Sequence, residues 1–362
     1  MRRTLAFLFA GIAALGAAAA PIAAPRIVGG PFVVKVTAQT ATIVWIVQND
    51  GVSVRTEGEA ALASPSYRVE KTTLTGLKPN TRYDYDVASG GEEGKGSFRT
   101  PPFGPTGPFT FAAYGDNRTR PDAHRGVINQ LIKHGIPDFI LQTGDMVANG
   151  DDSSQWGVFF DIERELLRRT AYFPALGNHD RNTPYFREFF QVNPYYSFDW
   201  GNAHFTVLNS DIATAAADEP ARNAFWAEQV RWLEEDLKQN QNAAFRFVTA
   251  HHPPITAVAR RQAGNPRMTD LLPLFEKYRV TAGLFGHDHN YQHYLKNGIH
   301  YITTGGGGAP LYDVDQPPAG ITQKVMSIEN FVSFRVDGKV IRVEAIAIDG
   351  RVIDSFEINA GS

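Results

Sequence analysis

Ala282-Gly283-Leu284-Phe285-Gly286-His287-Asp288-His289 passes from an apolar run straight into a glycine and three side chains that bind metals or move protons. A short apolar run ending on glycine reads as a buried strand that turns sharply at its carboxyl end. The same grammar occurs four times upstream. FTFAAY leads to Gly115-Asp116, FILQT to Gly144-Asp145, FPAL to Gly177-Asn178-His179-Asp180, and FVTA to His251-His252-Pro253-Pro254. Segments of helical periodicity lie between these runs, among them 121–135, 223–238 and 269–278. The alternation predicts an α/β core, and in such sheets the carboxyl ends of the strands form the crevice where ligands bind. Five separate segments are therefore expected to deliver Asp, Asn and His to one place.

Residues 25–100 follow a different pattern. PFVVKVT, ATIVWIVQ, SYRVEKTTL, RYDYDVAS and GSFRT are short strands separated by turn residues, which predicts a small all-β sandwich with Trp45 in its core. Within it, LTGLKPNTRY at 74–83 resembles the tyrosine-corner region of a fibronectin type III domain, where Tyr83 would bond back to nearby backbone. PPFGPTGP at 101–108 continues neither strand nor helix and reads as a stiff linker. The expected organisation is multidomain: a fibronectin III-like sandwich at 25–100, a linker at 101–108 and an α/β domain at 109–358. The last of these closes in a strand meander that turns at Asp337-Gly338 and Asp349-Gly350.

Composition narrows the function. The chain has 362 residues, 43% hydrophobic and 20% charged, with a formal charge of -3 and no Lys/Arg stripe, which argues against a nucleic-acid partner held through phosphates. Residues 1–20 have Arg2 and Arg3, then an apolar run, then small residues, the pattern of a signal peptide. A periplasmic or secreted protein without stable membrane insertion is expected. Cysteine is absent, so any metal must be held by His, Asp, Glu or Asn, which suits hard or borderline ions.

Taken together, GD, GD, GNHD, HH and GHDH resemble the motifs of the calcineurin-like metallophosphoesterases. With the preceding fibronectin-like block and Gly-His-Asp-His-Asn-Tyr, the chain is similar to the purple acid phosphatases among them. The resemblance implies two packed β-sheets flanked by helices. It also implies two divalent or trivalent ions, iron, manganese or zinc with calcium admitted, about 3.5–4 Å apart and gripping one phosphate and one bridging hydroxide. Carried over motif by motif, it makes Asp145 the bridging and catalytic carboxylate. Asn178, His251 and His287 go to one ion, Asp116 and His289 to the other. His179 contacts the phosphate or protonates the leaving oxygen, or props a ligand, and His252 and Asn178 face a small phosphorylated substrate.

Two positions depart from the family pattern. Most members begin with Asp-x-His and the purple acid phosphatases have Gly-Asp-x-x-Tyr. Here the motifs read Asp116-Asn117-Arg118 and Gly144-Asp145-Met146-Val147-Ala148, so one ion lacks a protein ligand. His124 on the inward face of the next helix is a tentative replacement, or else a hydrogen-bonded histidine at a helix end. Arg118 reads as a phosphate clamp, or else as a surface ion pair. Gly305–Gly308 reads as a mobile loop without the Lys-Ser/Thr of a P-loop, and Asn149 and Trp156 as pocket walls. Monoesters are the expected substrate, diesters the alternative at the same site, and a binding or adhesion protein with a degenerate site the alternative of another class.

Overall fold

The computed structural model describes residues 26–49, 55–56, 59–60, 66–104, 107–262 and 265–361. The leader expected at 1–20 lies outside them. The chain first forms β1 (Arg26–Val34), β2 (Ala41–Asn49), the two-residue pair β3 (Arg55–Thr56) and β4 (Glu59–Ala60), β5 (Ser66–Leu74), β6 (Arg82–Ser89) and β7 (Glu92–Arg99). Three short buried strands follow: β8 (Phe109–Tyr114), β9 (Phe139–Gln142) and β10 (Ala171–Pro174). Next come β11 (Tyr196–Trp200), β12 (Ala203–Val207), β13 (Phe245–Ala250), β14 (Ala282–Phe285), β15 (Tyr291–Lys296), β16 (Ile299–Thr304) and β17 (Thr322–Met326). The meander β18 (Asn330–Asp337), β19 (Val340–Ala347) and β20 (Val352–Asn359) ends the chain.

These strands make two large sheets, ordered β20-β19-β18-β8-β9-β10-β1-β2-β5 and β11-β12-β13-β14-β16-β15-β17. The sheets meet face to face through aromatic side chains. Phe111 of β8 stacks on Phe334 of β18 at 4.3 Å and meets Phe205 and Phe247 of the opposite sheet edge-on at 5.2 and 5.3 Å. Helices α1 (Pro121–His134), α2 (Ser153–Leu167) and α3 (Pro184–Phe190) cover the outer face of the first sheet with Val127, Leu131, Phe160 and Phe190. Beyond the short α4 (Ile212–Ala215), α5 (Glu219–Gln239) lays Leu233 and Leu237 on the second sheet. The single helix expected over 269–278 is two pieces, α6 (Pro266–Thr269) and α7 (Leu272–Lys277). Pro273 explains the break, because it lacks an N–H and suits only the first turn of a new helix.

The sandwich expected at 25–100 is not a separate unit. Val33 of β1 pairs in parallel with Ala171 of β10, so β1, β2 and β5 extend the core sheet, while β6 and β7 form a two-stranded ribbon apart from it. The cause lies in β1 itself: Phe32, Val33 and Val34 are all fully buried, so both faces need cover. Phe32 meets Phe160 of α2, while Val33 enters the inter-sheet core with Phe98 of β7. The bond expected of the tyrosine corner is present, Lys78 N–H donating to Tyr83 Oη at 2.8 Å. Trp45 is half-buried rather than central, its Nε1 donating to Glu70 at 2.6 Å.

One buried charge cluster in this frame makes stability depend on pH. His204 of β12 lies between Asp199 (Nδ1, 2.7 Å) and Asp236 (Nε2, 3.0 Å). Burial alone would lower its pKa, but the two carboxylates outweigh it and lift the ring to about 9 from 6.5. A folded pKa above the unfolded one means that the contribution is complete below about pH 6.5 and is lost as pH rises through about 9. Urea unfolding is expected to show about 2 kcal/mol less stability at high pH from this group, a solvent-discounted figure because Asp199 is exposed. His204→Gln should flatten that part of the profile; an unchanged profile would remove His204 as its source.

Candidate metal centre

The five motifs come together at one edge of the two-sheet core. Asp116 follows β8, Asp145 follows β9 and Asn178-His179-Asp180 follows β10, while His251-His252 and His287–His289 follow β13 and β14 of the facing sheet. Asp116, Asp145 and His287 have φ of 58°, 59° and 68°, the left-handed region that side chains adopt at a cost of about 1 kcal/mol or more each. The surroundings hold them there. Asp116 N–H donates to Gly144 O at 2.8 Å, and Asp116 Oδ2 accepts the His287 N–H at 2.8 Å. Gly177 must be glycine, since a Cβ would lie 2.1 Å from the Asp145 nitrogen.

In one half of the site, acceptors face acceptors. Asn178 Oδ1 lies 3.1 Å from His251 Nε2 and 3.0 Å from His287 Nδ1, and His251 Nε2 lies 3.4 Å from Asp145 Oδ1. His251 Nδ1 donates to Thr143 O at 2.8 Å, which directs Nε2 inward, the way backbone carbonyls orient histidine ligands. Burial and the neighbouring His252, His251 and Arg261 push His287 far below the usual range, so it stays neutral. Burial would also lower His251, but the Asp145 carboxylate outweighs it and lifts the ring to about 10. This half therefore calls for a positive charge at the point where the four side chains converge, from a proton on His251 or from a metal ion. The donors fit an ion: one carboxylate, one amide oxygen and two imidazoles.

In the other half, Asp116, Asp145 and His289 are buried and each offer one ligand atom, all within 4.8 Å of one another, a group that could hold an ion. His289 Nδ1 donates to Pro310 O at 2.7 Å, so its Nε2 also faces inward, 3.3 Å from Asp116 Oδ1. Asp116 Oδ1 is buried without a hydrogen-bond partner. Here, however, a cation is already present. Arg118 Nε donates to Asp145 Oδ2 at 3.2 Å and its Nη2 lies 3.3 Å from His289 Nε2, with only 14% of the side chain exposed. The surface ion pair considered for Arg118 is thereby corrected: its partner is a buried site carboxylate.

His179 lies beside this site, half-buried, with Nδ1 bonded to Ala148 O at 2.8 Å and its N–H donating to Asp145 Oδ1 at 2.8 Å. His252 packs against His287 with the rings tilted and their centroids 4.1 Å apart, and its Nδ1 meets Ser210 Oγ at 2.9 Å. The tentative role of His124 as a replacement ligand is corrected: its Nε2 lies 2.7 Å from Glu163 Oε1 of α2 and its ring stacks on Phe159. Both groups are buried, and Glu163 also accepts from Tyr114. The helix face does point inward, but toward α2 rather than the site. Trp156, expected as a pocket wall, is fully buried in the helix-side core, and Asn149 Oδ1 accepts Asp151 N–H in a turn. Gly305–Gly308 are buried rather than loose. Gly307 N–H donates to Gly115 O at 2.9 Å, and a Cβ on Gly307 would lie 2.2 Å from that oxygen.

Two acids that close the Gly-Asn-His-Asp and Gly-His-Asp-His strings had no assigned role. Asp180 accepts four backbone N–H groups around Asp145, and Asp288 accepts from Arg261 Nη1 at 2.9 Å and from Thr256. Their place in the motifs was the available signal: an acid between or after ligands props the loop that carries them.

The chain is similar to known proteins over the part that carries the site. The sequence model described as "Calcineurin-like phosphoesterase" matches residues 109–291, the span from β8 to the first residue of β15. An uncharacterised protein of Mycobacterium tuberculosis is 28% identical over 64% of this chain and 52% of its own length. Purple acid phosphatase 21 of Arabidopsis thaliana is 26% identical over 67% of this chain and 59% of its own. The chain thus spans between half and three fifths of these two relatives. The solved purple acid phosphatase PPD1 from yellow lupin seeds superposes with a TM-score of 0.74 at 19% identity, over 93% of this chain and 74% of that one, which shows a shared fold.

Proposed function

The chain belongs to the calcineurin-like phosphoesterase family, and from that premise we propose that it is an exported, metal-dependent hydrolase of phosphate monoesters. The observation that carries the reading is the set of converging acceptors. Asp145 Oδ1, Asn178 Oδ1, His251 Nε2 and His287 Nδ1 crowd their lone pairs together, offset only by a proton on His251 and by Arg118 on the other oxygen of Asp145. A metal ion held by those four residues would lower the pKa of a water and neutralise charge developing on phosphoryl oxygens.

The remaining residues have separate tasks. Arg118 offers N–H groups to two phosphoryl oxygens from the Asp116 side. His179, oriented by Ala148 O through Nδ1, presents Nε2 for protonating the leaving oxygen. His252, tied to Ser210 through Nδ1, turns its other nitrogen to the substrate. A cavity of about 450 Å³ lined by His252, Pro253, Arg260, Arg261, Asn265 and His287 receives the organic part. Two positive centres on one phosphate match the charge of a monoester dianion better than that of a diester. Export rests on the leader-like residues 1–20, and among the described residues no helix is long and apolar enough to cross a membrane.

The test is hydrolysis of p-nitrophenyl phosphate and its bis ester by chelator-stripped protein reloaded with manganese, zinc, iron or calcium in turn. Turnover of the monoester is expected with at least one ion, about tenfold or more above the diester. A preference for the diester would replace the substrate assignment. No turnover of either ester with any ion would leave a binding protein as the remaining reading.

A further inference from the structure

We propose that Arg118 takes the place of the second ion, so that the chain binds one metal ion, at Asp145, Asn178, His251 and His287, and completes the site with a fixed guanidinium. This rests on the metal-dependent reading above. The two halves of the site differ in what already balances their acceptors. Around Asn178, imidazole and oxygen acceptors lie 3.0–3.4 Å apart with no guanidinium or ammonium among them, so that a proton on His251 or an ion must balance them. Around Asp116, the guanidinium lies against two of the three atoms an ion would need, Asp145 Oδ2 and His289 Nε2.

The position of Arg118 is built. Its backbone N–H donates to Asp145 O at 3.3 Å, and Nη1 donates to Thr119 Oγ1 at 3.3 Å, so both ends of the side chain are anchored beside the Asp145 carboxylate. An ion entering the Asp116 group would therefore meet a positive charge at contact distance. It would also find three protein donors instead of the four across the site. Three neighbours supply no fourth: His124 is held by Glu163, Ala148 has no side-chain donor, and Asn117 bonds Gly307 O and Gln142 instead. Asp116 Oδ1, without a hydrogen bond, leaves this half with negative charge that the guanidinium offsets.

A guanidinium can do part of an ion's work. It binds phosphoryl oxygens in a planar fork and keeps its charge at any working pH. It cannot activate water, so that task falls to the Asn178 half alone.

The experiment counts ions. The full chain is stripped, saturated with Mn(II), freed of excess and analysed by mass spectrometry for metal per chain, with electron paramagnetic resonance to separate isolated from coupled Mn(II). Wild type should hold one ion with an isolated signal. Arg118→His removes the cation and restores the imidazole usual at this motif position, and should hold two coupled ions. His287→Ala should hold none and His289→Ala one, a pair that decides the matter even if Arg118→His fails to fold. Two ions in wild type, one in Arg118→His, or loss of the ion in His289→Ala would each overturn the inference and leave the metal-dependent reading intact. No ion in wild type would overturn both.

Discussion

Asp145→Asn is expected to cut turnover of p-nitrophenyl phosphate by about 10³-fold or more, equivalent to about 4 kcal/mol of lost transition-state stabilisation, with the fold retained. Segments following three other strands of the site, β8, β10 and β13, meet at this side chain. Oδ1 accepts His179 N–H at 2.8 Å and faces His251, and Oδ2 accepts Arg118 Nε–H at 3.2 Å. Burial alone would raise the Asp145 pKa, but the His251 ring, by charge and hydrogen bond, holds it well below the usual carboxylate range. The carboxylate is therefore charged throughout the working range, and its charge is what the site is arranged around. The amide has nearly the same shape but no charge. It can still accept from His179, but its NH₂ then faces the Arg118 Nε–H, donor against donor. The guanidinium is released, and an ion held there would lose its carboxylate at once. Steady-state kinetics with metal content on the same sample checks this, and a variant keeping more than a tenth of wild-type activity would refute the central role of Asp145.

The positions of Asp116, Asp145, Asn178, His251, His287 and His289 were legible because each follows a short apolar strand, and parallel strands place their carboxyl ends together. The course of Arg118 was not. It lies two residues after Asp116, whose φ is 58°, and the direction of a side chain leaving such a turn depends on the loop it packs against, here the one carrying Asp145. His124 shows the same limit from another side. Helical spacing correctly turned it inward, but its partner Glu163 lies on α2, 39 residues away, in a stretch without a motif. The joining of the N-terminal block to the core sheet was not legible for a third reason. Period-two alternation in β1, β2 and β5 is the same for a closed sandwich and for an extension of a larger sheet, and only the long-range pairing of Val33 with Ala171 separates them.

Asp180→Asn is expected to cost about 3 kcal/mol of stability and about 10²-fold in activity, although Asp180 touches no substrate. Its carboxylate is fully buried, with Oδ1 accepting Met146 N–H at 2.8 Å and Val147 N–H at 3.2 Å. Oδ2 accepts Asp145 N–H at 2.8 Å and Gly177 N–H at 3.0 Å. Burial and the nearby Asp145 charge push this carboxyl up, whereas four N–H donors, which only an ionised carboxylate satisfies with both oxygens, pull the other way. An amide cannot serve all four. Whichever way it is flipped, its NH₂ confronts two backbone N–H groups in a place closed to water, leaving two donors unpaired at about 1–3 kcal/mol each. Rotating the group toward Asp145 N–H and Gly177 N–H frees the Met146 turn, and the reverse frees Asp145 itself. Either choice loosens the left-handed turn at φ 59° that aims Asp145 into the site. Stability from urea unfolding and kcat/KM measured well below the unfolding midpoint separate the two effects. A variant that is destabilised but fully active would mean that the turn holds its shape without the clamp. One that loses activity at unchanged stability would mean that the four bonds position Asp145 without supporting the fold.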